Sequence, residues 1–373
     1  MRQVFTESSN LFRAAIAVLL CGACTITCGA GAGPTFAPDL SLNQIQIIGT
    51  HNSYHAGLTP AEDAWIARRD PHEAAALDYR HAALSAQLQA GMRELEIDVY
   101  ADPSGGRFSR FAIQSQLAAA QIPDAPSPYP PALLEKPGFK VMHKPKTDFR
   151  SNCQPFAECL REVEHWSAAH PHHIPVYMFI ETKDGQDLTK AESDELDSEV
   201  RSVIPRRQLF VPDDLLRGHS SLRAAVAADG WPPLDQVRGK LVFLLSRPEV
   251  TAVYESGHPN LGGRVFFVNG PLEDPDTVFH VLPDPSDPLI PKLVRSGLLI
   301  YTRADVDTAQ GRSGSVARRN AAFASGAQII STDYPASEPA SWSGYTVDFP
   351  NHAIARCDPV DTTASCSLRQ SSR

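Results

Sequence analysis

The sequence predicts a single α/β domain, an irregular (β/α)8 barrel of the TIM type with long loop insertions. Eight short apolar runs, beginning near residues 44, 93, 139, 175, 240, 264, 298 and 327, are mostly separated by segments of helical periodicity. Several of these runs end in carboxylate, amide or imidazole side chains, as barrel strands do where they open into active-site loops. No GxGxxG, P-loop or GxSxG motif follows any of them. The nucleotide-binding turn of an open doubly wound sheet is therefore missing.

Residues 1–32 read as a secretory signal. Arg2 and Arg13 flank a polar start, Ala14 to Ile26 is apolar, and small residues follow from Gly29 to Gly33. The apolar run is short for a membrane span and suits an exported or periplasmic protein. Cys24 allows a lipoprotein anchor, but Cys21 three positions earlier replaces the usual aliphatic residue, so this reading is the weaker one. Residues 33–373 then form the barrel and a C-terminal extension, with no transmembrane helix in the mature chain.

Ile47-Ile48-Gly49-Thr50-His51-Asn52 is a buried strand running into a turn that presents an imidazole and an amide. A helix follows over Pro60–Arg69, capped by Thr59, and another over Ala82–Ala90, stopped by Gly91. Glu94 to Tyr100 alternates strictly, with Leu95, Ile97 and Val99 on one face and Glu94, Glu96 and Asp98 on the other. Three acids on one face must be solvated or share a cation, and the central position of the segment favours the cation.

The proline-rich stretch 123–137 reads as an insertion or lid without regular structure. Phe139 to Lys144 is the third strand, followed by a helix over Phe156–His170. Ile174 to Asp184 is an apolar strand ending in Glu181 and Lys183. The sequence His170-Pro171-His172-His173 precedes that strand, so it belongs to the opposite barrel face and reads as a solvated turn rather than a metal motif. Helices over 188–204 and 313–325 separate several of the remaining strands, and 288–296 leads into the strand at 298. These end near Ser246, Asn269, Arg303 with Asp305, and Asp333.

A formal charge of −9 opposes nucleic acid as a partner, so an anionic substrate requires local cations or a metal. Four cysteines lie beyond the signal, Cys153 with Cys159 and Cys357 with Cys366. Their proximity fits two local disulfides of an exported protein, although four cysteines allow three pairings. Their spacing does not suit zinc.

Barrel strands deliver their C-terminal ends to one face. There the sequence gathers His51, Asn52, Glu96, Asp98, His143, Lys144, Glu181, Lys183, Arg303, Asp305 and Asp333. Asn52, Glu96, Asp98 and Glu181 form an all-oxygen ligand set suited to Ca2+. Two histidines remain for proton transfer, and Lys183 and Arg303 suit a phosphoryl oxygen. A phosphodiester is the substrate class that uses all three elements.

At these residues the chain resembles the calcium-dependent, phosphatidylinositol-specific phospholipase C enzymes of bacterial type. The resemblance rests on Gly49-Thr50-His51-Asn52-Ser53-Tyr54, Glu94-Leu95-Glu96-Ile97-Asp98, Val141-Met142-His143, Asp148-Phe149-Arg150-Ser151, Glu181-Thr182-Lys183-Asp184 and Tyr301-Thr302-Arg303-Ala304-Asp305, and runs from about Gln44 to Tyr334. It implies cleavage between glycerol and phosphate, with His51 acting on the inositol 2-hydroxyl and His143 protonating the diacylglycerol oxygen. Calcium would rest on Asn52, Glu96, Asp98 and Glu181, with Lys183, Arg303 and Lys144 contacting substrate. A monomer meeting phospholipid at a membrane surface follows, with Trp65, Tyr129 and the proline loop as candidate rim groups.

A glycerophosphodiesterase or a sphingomyelinase D-like enzyme uses the same barrel. The former usually has arginine after its first histidine, where this chain has Asn52. A catalytically inert secreted binding module would not need both histidines and the complete acid set. His55 lies past the strand tip and is expected only to support the loop.

Overall fold

The computed structural model describes residues 40–183 and 188–361. The signal segment with Cys24, and Cys366, lie outside the described residues. The strands are β1 (Ile45–Thr50), β2 (Glu94–Tyr100), β3 (Lys140–Val141), β4 (Val176–Thr182), β5 (Leu209–Phe210), β6 (Leu241–Leu245), β7 (Phe266–Val268), β8 (Phe279–Val281), β9 (Leu299–Arg303), β10 (Ile329–Thr332) and β11 (Ala355–Cys357).

The parallel pairs join β1 to β2, β2 to β4, β4 to β6 and β6 to β7. On the other side β1 pairs with β10, β10 with β9 and β9 with β8, also in parallel. A single parallel bridge between Asn269 and Phe279 connects β7 to β8. The ring is thus β1-β2-β4-β6-β7-β8-β9-β10, an irregular eight-stranded barrel.

The expected strand at 139 is not a member of this ring. β3 is two residues long and runs antiparallel to the end of β2, with Val141 opposite Val99 and Lys140 opposite Tyr100. The eighth barrel strand is β8, a segment between Asn269 and Pro288 that the apolar pattern did not reveal. Polar His280 and the flanking Pro283, Asp284 and Pro285 leave only a short apolar signal there.

Two short strands fill the lower edges where barrel strands splay. β5 pairs with Leu241 and Val242, below the contact of β6 with β7. β11 runs antiparallel to Ile45–Ile47, below the contact of β1 with β2. Both use backbone donors and acceptors that would otherwise lie unpaired inside the protein.

Several helices follow their sequence signals, whereas the expected helix over 313–325 is two, Ala309–Ser313 and Ala317–Ser325, separated by Gly314 in a left-handed conformation. Pro60–Ala67 and Lys190–Val203 each begin with a capping box, Thr59 with Glu62 and Thr189 with Glu192. Phe156–Ala169 buries Leu160, Val163 and Trp166. The proline-rich insertion contains one helical turn, Pro131–Leu134. It is held by Arg150, whose guanidinium donates to the carbonyls of Ala125 and Pro126 and pairs with Glu62 and Asp124. A disulfide joins Cys153 to Cys159.

His173 is buried and meets Ser167 through Nε2 at 2.8 Å, so the histidine-rich turn is partly a packing element rather than wholly solvated. Leu95, Ile97 and Val99 belong to the main core. Opposite them Glu94, Glu96 and Asp98 are equally buried, which removes the wet-face reading of β2. Register places Glu96 beside Phe179 and Asp98 beside Glu181. Phe179 stacks on Tyr301 at 4.4 Å and meets Phe279 edge-on, so aromatic rings floor the acidic cluster.

Candidate active site

The turn after β1 is fixed before it carries any chemistry. Gly49 lies against β2 so closely that a Cβ there would be 2.0 Å from Glu94 Oε2 and 2.7 Å from its carbonyl oxygen. Only glycine permits this approach. Asn52 then adopts a left-handed conformation (φ 48°), which asparagine tolerates better than most residues. The backbone N–H of Ser53 donates to the Glu96 carbonyl, and Ser53 Oγ accepts from the Glu96 N–H, locking the turn to β2.

His51 is held by Asp333, just beyond β10, with Nδ1 2.8 Å from Oδ1. Its Nε2 lies 3.8 Å from Glu96 Oε1. Burial, reinforced by Arg303, lowers the imidazole to about 3 despite Asp333, so the ring is neutral at physiological pH. Burial works against ionisation of Asp333, but Arg303 and His51 hold it at about 2. The Arg303 guanidinium is 3.3 Å from Asp333 Oδ2 and 3.8 Å from Asp305 Oδ1. Burial and the neighbouring Asp333 push Asp305 up to about 7.

His143 enters from a different direction than expected. Because β3 is antiparallel, the chain beyond Val141 descends toward the barrel mouth instead of leaving it. Lys144 and Asp148 then form an antiparallel bridge that returns the Asp148 carboxylate to His143, with Nδ1 2.9 Å from Oδ2. The other Asp148 oxygen is 3.0 Å from Nε2 of His55. His55 is therefore more than a loop support: one buried aspartate orients two imidazoles. Burial opposes both charges, yet the mutual attraction keeps Asp148 well below its ordinary range and raises His55.

Glu96, Asp98 and Glu181 offer oxygens that all lie within 4.8 Å of one another. Tyr301 donates to Glu96 Oε2 at 2.9 Å, and Tyr54 donates to Asp98 Oδ2 at 2.6 Å. Asn52 stands at the edge of the cluster, its Oδ1 3.1 Å from the Tyr54 hydroxyl and its Nδ2 donating to the Tyr79 hydroxyl at 2.8 Å. Asp98 Oδ1 is buried without a hydrogen-bond partner. Burial, with Asp98 and Glu181 close by, pushes Glu96 up to about 8. An orphaned carboxylate oxygen and an acid that resists ionisation mark a centre short of positive charge. An all-oxygen donor set fits a hard divalent cation.

Lys183 reaches into the cluster, 2.9 Å from Asp98 Oδ2 and 3.0 Å from Glu181 Oε1, and Arg247 lies 3.3 Å from the same Glu181 oxygen. Lys144 is half-exposed and pairs with Glu73 at 2.8 Å. His51, Asn52, His143, Lys144, Arg303 and Glu73 line a cavity of about 500 Å3. Glu73 comes from a helix, Pro71–Ala76, that the sequence pattern did not reveal.

The family model for calcium-dependent phosphoinositide phospholipase C matches residues 40–359. The chain belongs to that family. It is accordingly a phosphodiester-cleaving phospholipase C with calcium as its cation, and the Glu96, Asp98 and Glu181 cluster can hold such an ion.

Solved structures agree at the level of fold. The calcium-dependent phosphoinositol-specific phospholipase C of a Pseudomonas species superposes with a TM-score of 0.55 at 15% identity, covering 86% of this chain and 96% of that one. Its myoinositol complex gives 0.54 at 16% identity, covering 83% and 95%. The Streptomyces antibioticus enzyme gives 0.50 at 18% identity, covering 78% and 94%. No curated protein matches this sequence.

Two of the phospholipase's features reside in residues that the candidate set omitted or undervalued. Asp333 orients His51 and Asp148 orients His143, and His55 shares the second of these aspartates. Asp148 and His55 gave no local sign of this role, because their partners are set by the chain's path through β3. Trp65 is half-buried, donates to Gln116 and lies under Arg69, so it behaves as a packing residue. Among the described residues no helix is long and apolar enough to cross a membrane.

Proposed function

We propose that the phospholipase cleaves the glycerol–phosphate bond of phosphatidylinositol, releasing diacylglycerol and a cyclic inositol phosphate. The observation that carries this reading is the pair of aspartate-anchored histidines lining one cavity, beside three clustered carboxylates.

With Nδ1–H donated to Asp333, His51 exposes the lone pair of Nε2 and takes the proton of the inositol 2-hydroxyl. The hydroxyl oxygen forms its bond to phosphorus as the bond to the glycerol oxygen breaks. His143, oriented through Nδ1 by Asp148, gives its Nε2 proton to that leaving oxygen. An internal nucleophile needs little further ordering, so positioning supplies much of the rate.

Asn52, Glu96, Asp98 and Glu181 are the residues we assign to calcium, which when bound neutralises phosphate charge and makes the nucleophilic hydroxyl more acidic. Arg303, fixed by Asp333, supports the phosphoryl oxygens, Lys144 on the cavity wall can join it, and Lys183 is assigned to the same phosphate from its place on Asp98 and Glu181. The alternation of signal-like N-terminus, disulfide and barrel supports export, with the barrel rim meeting a phospholipid surface as a monomer.

Purified protein with phosphatidylinositol vesicles and calcium should release diacylglycerol and, by 31P NMR, a five-membered cyclic phosphate. His51→Ala and His143→Ala should each lose most turnover without unfolding. Preferential attack on phosphatidylcholine, sphingomyelin or glycerophosphodiesters would refute the headgroup assignment, and wild-type rates in both variants would refute the acid–base assignment.

A further inference from the structure

Lys183 has a place that its expected role as a phosphate ligand does not explain. Its ammonium group lies 2.9 Å from Asp98 Oδ2 and 3.0 Å from Glu181 Oε1, bridging two of the three clustered carboxylates. The side chain is mostly buried, at 19% exposure, and Asp98 is fully buried. The ammonium group thus takes up one oxygen of each of two carboxylates assigned to the cation, and a calcium ion drawing on the same cluster, whose oxygens lie within 4.8 Å of one another, would come close to it. Two cations that close, with little water to screen them, repel strongly.

Nor can Glu181 compensate by turning away, since the same Oε1 also accepts from Arg247 at 3.3 Å. Asp98 Oδ2 is likewise engaged by Tyr54. The carboxylate oxygens facing Lys183 are thus already organised around an ammonium ion. Oδ1 of Asp98 remains without a partner.

We propose that Lys183 is the resident counter-ion of the metal-free site and that calcium binds by displacing its ammonium group from Asp98 and Glu181. The displaced group is carried on a flexible four-carbon stem, and its acidic cluster reaches the cavity through Glu96, 3.8 Å from His51, so it is then available to the phosphate of the substrate. This rests on the assignment of calcium to Glu96, Asp98 and Glu181. Lys183 therefore weakens calcium binding in the absence of lipid and links metal occupancy to phosphate recognition. The linkage is reciprocal: any ligand phosphate that captures the released ammonium group must strengthen calcium binding by the same factor.

The test is calorimetric titration of CaCl2 into the full-length, metal-free protein, comparing wild type with Lys183→Gln, Lys183→Met and Lys183→Arg. The Gln and Met variants should bind calcium at least roughly fivefold more tightly than wild type, the lower end of ordinary coupling between sites. Arg, which keeps the charge, should not. Melting temperature supplies a second reading. Each neutral variant should melt below wild type in chelator and gain more from saturating calcium. Two neutral variants of different polarity guard against one failing to fold.

Equal or weaker calcium binding in the neutral variants would overturn the displacement and leave the metal site standing. Absence of calcium binding in all four proteins would overturn the metal assignment itself, and the displacement with it.

Discussion

Replacing Asp333 by Asn tests how the site prepares its base. The carboxylate accepts from His51 Nδ1 at 2.8 Å and from Arg303 at 3.3 Å. In the variant an amide N–H can face His51 Nδ1, forcing the ring's proton onto Nε2, where the lone pair is needed. Removing the anchoring carboxylate of a catalytic histidine in this way lowers kcat by about 10^4-fold in the Ser-His-Asp template. At about 1.4 kcal/mol per factor of ten, that corresponds to about 5.5 kcal/mol of transition-state stabilisation.

Stability should fall much less. Breaking a buried ion pair usually costs about 3–5 kcal/mol, because the remaining charge is left without a partner. Here Asp305 stands 3.8 Å from the same guanidinium and is held near neutrality, at about 7, by burial and by Asp333. Loss of the Asp333 charge lets Asp305 ionise and take over Arg303. We therefore expect a loss of about 1–3 kcal/mol, within that range's lower part and below it. The assays are vesicle hydrolysis in calcium, urea unfolding, and 15N NMR of the His51 ring to identify the protonated nitrogen. Turnover within about fivefold of wild type, or an unchanged His51 tautomer, would refute the reasoning.

Two further outcomes follow from the same geometry. The His55–Asp148 pair should stabilise the protein most between the two ordinary pKa values, 3.8 for Asp148 and 6.5 for His55. Asp148 has a depressed folded pKa, so its contribution is present above 3.8 and is lost as pH falls through the folded value. His55 has a raised folded pKa, so its contribution is complete below 6.5 and is lost as pH rises through the folded value. The difference in melting temperature between wild type and His55→Gln should therefore be largest near pH 5 and shrink toward pH 9; a difference that grows with pH contradicts the pairing. Gly49→Ala should destabilise by about 3 kcal/mol or more, since its Cβ would fall 2.0 Å from a carboxylate oxygen and 2.7 Å from a carbonyl of β2. A urea midpoint equal to wild type would show that β1 and β2 can separate without cost.

Much of the fold was visible in the sequence because it is written in local patterns. Strict alternation over 94–100 assigned three acids to one face of β2, and Thr59 announced its helix as a cap. Apolar runs ending in His51, Glu181 and Arg303 identified strand tips, and the grouping of those tips at one face followed from barrel topology. Burial requires these patterns wherever a strand lies in a barrel wall, so a short window suffices to find them.

Other features depended on the path of the whole chain. The count of eight strands was correct only because an omitted strand, β8, replaced one that is not in the ring. β8 is three residues long with a histidine at its centre, and β3 is two residues long and antiparallel; neither imposes a period. Tertiary structure also decided which carboxylate orients which histidine. Asp333 reaches His51 across 282 residues, and Asp148 reaches His143 only because β3 reverses the chain. Placement of Lys183 between Asp98 and Glu181 is of the same kind. The sequence by itself determined which chemical groups the strand tips of β1, β2, β4 and β9 carry to the barrel mouth, because burial and strand period are local constraints. Only the folded structure decided their partners, because hydrogen bonds and ion pairs between distant segments are set by where the backbone brings them and leave no periodic trace in the chain.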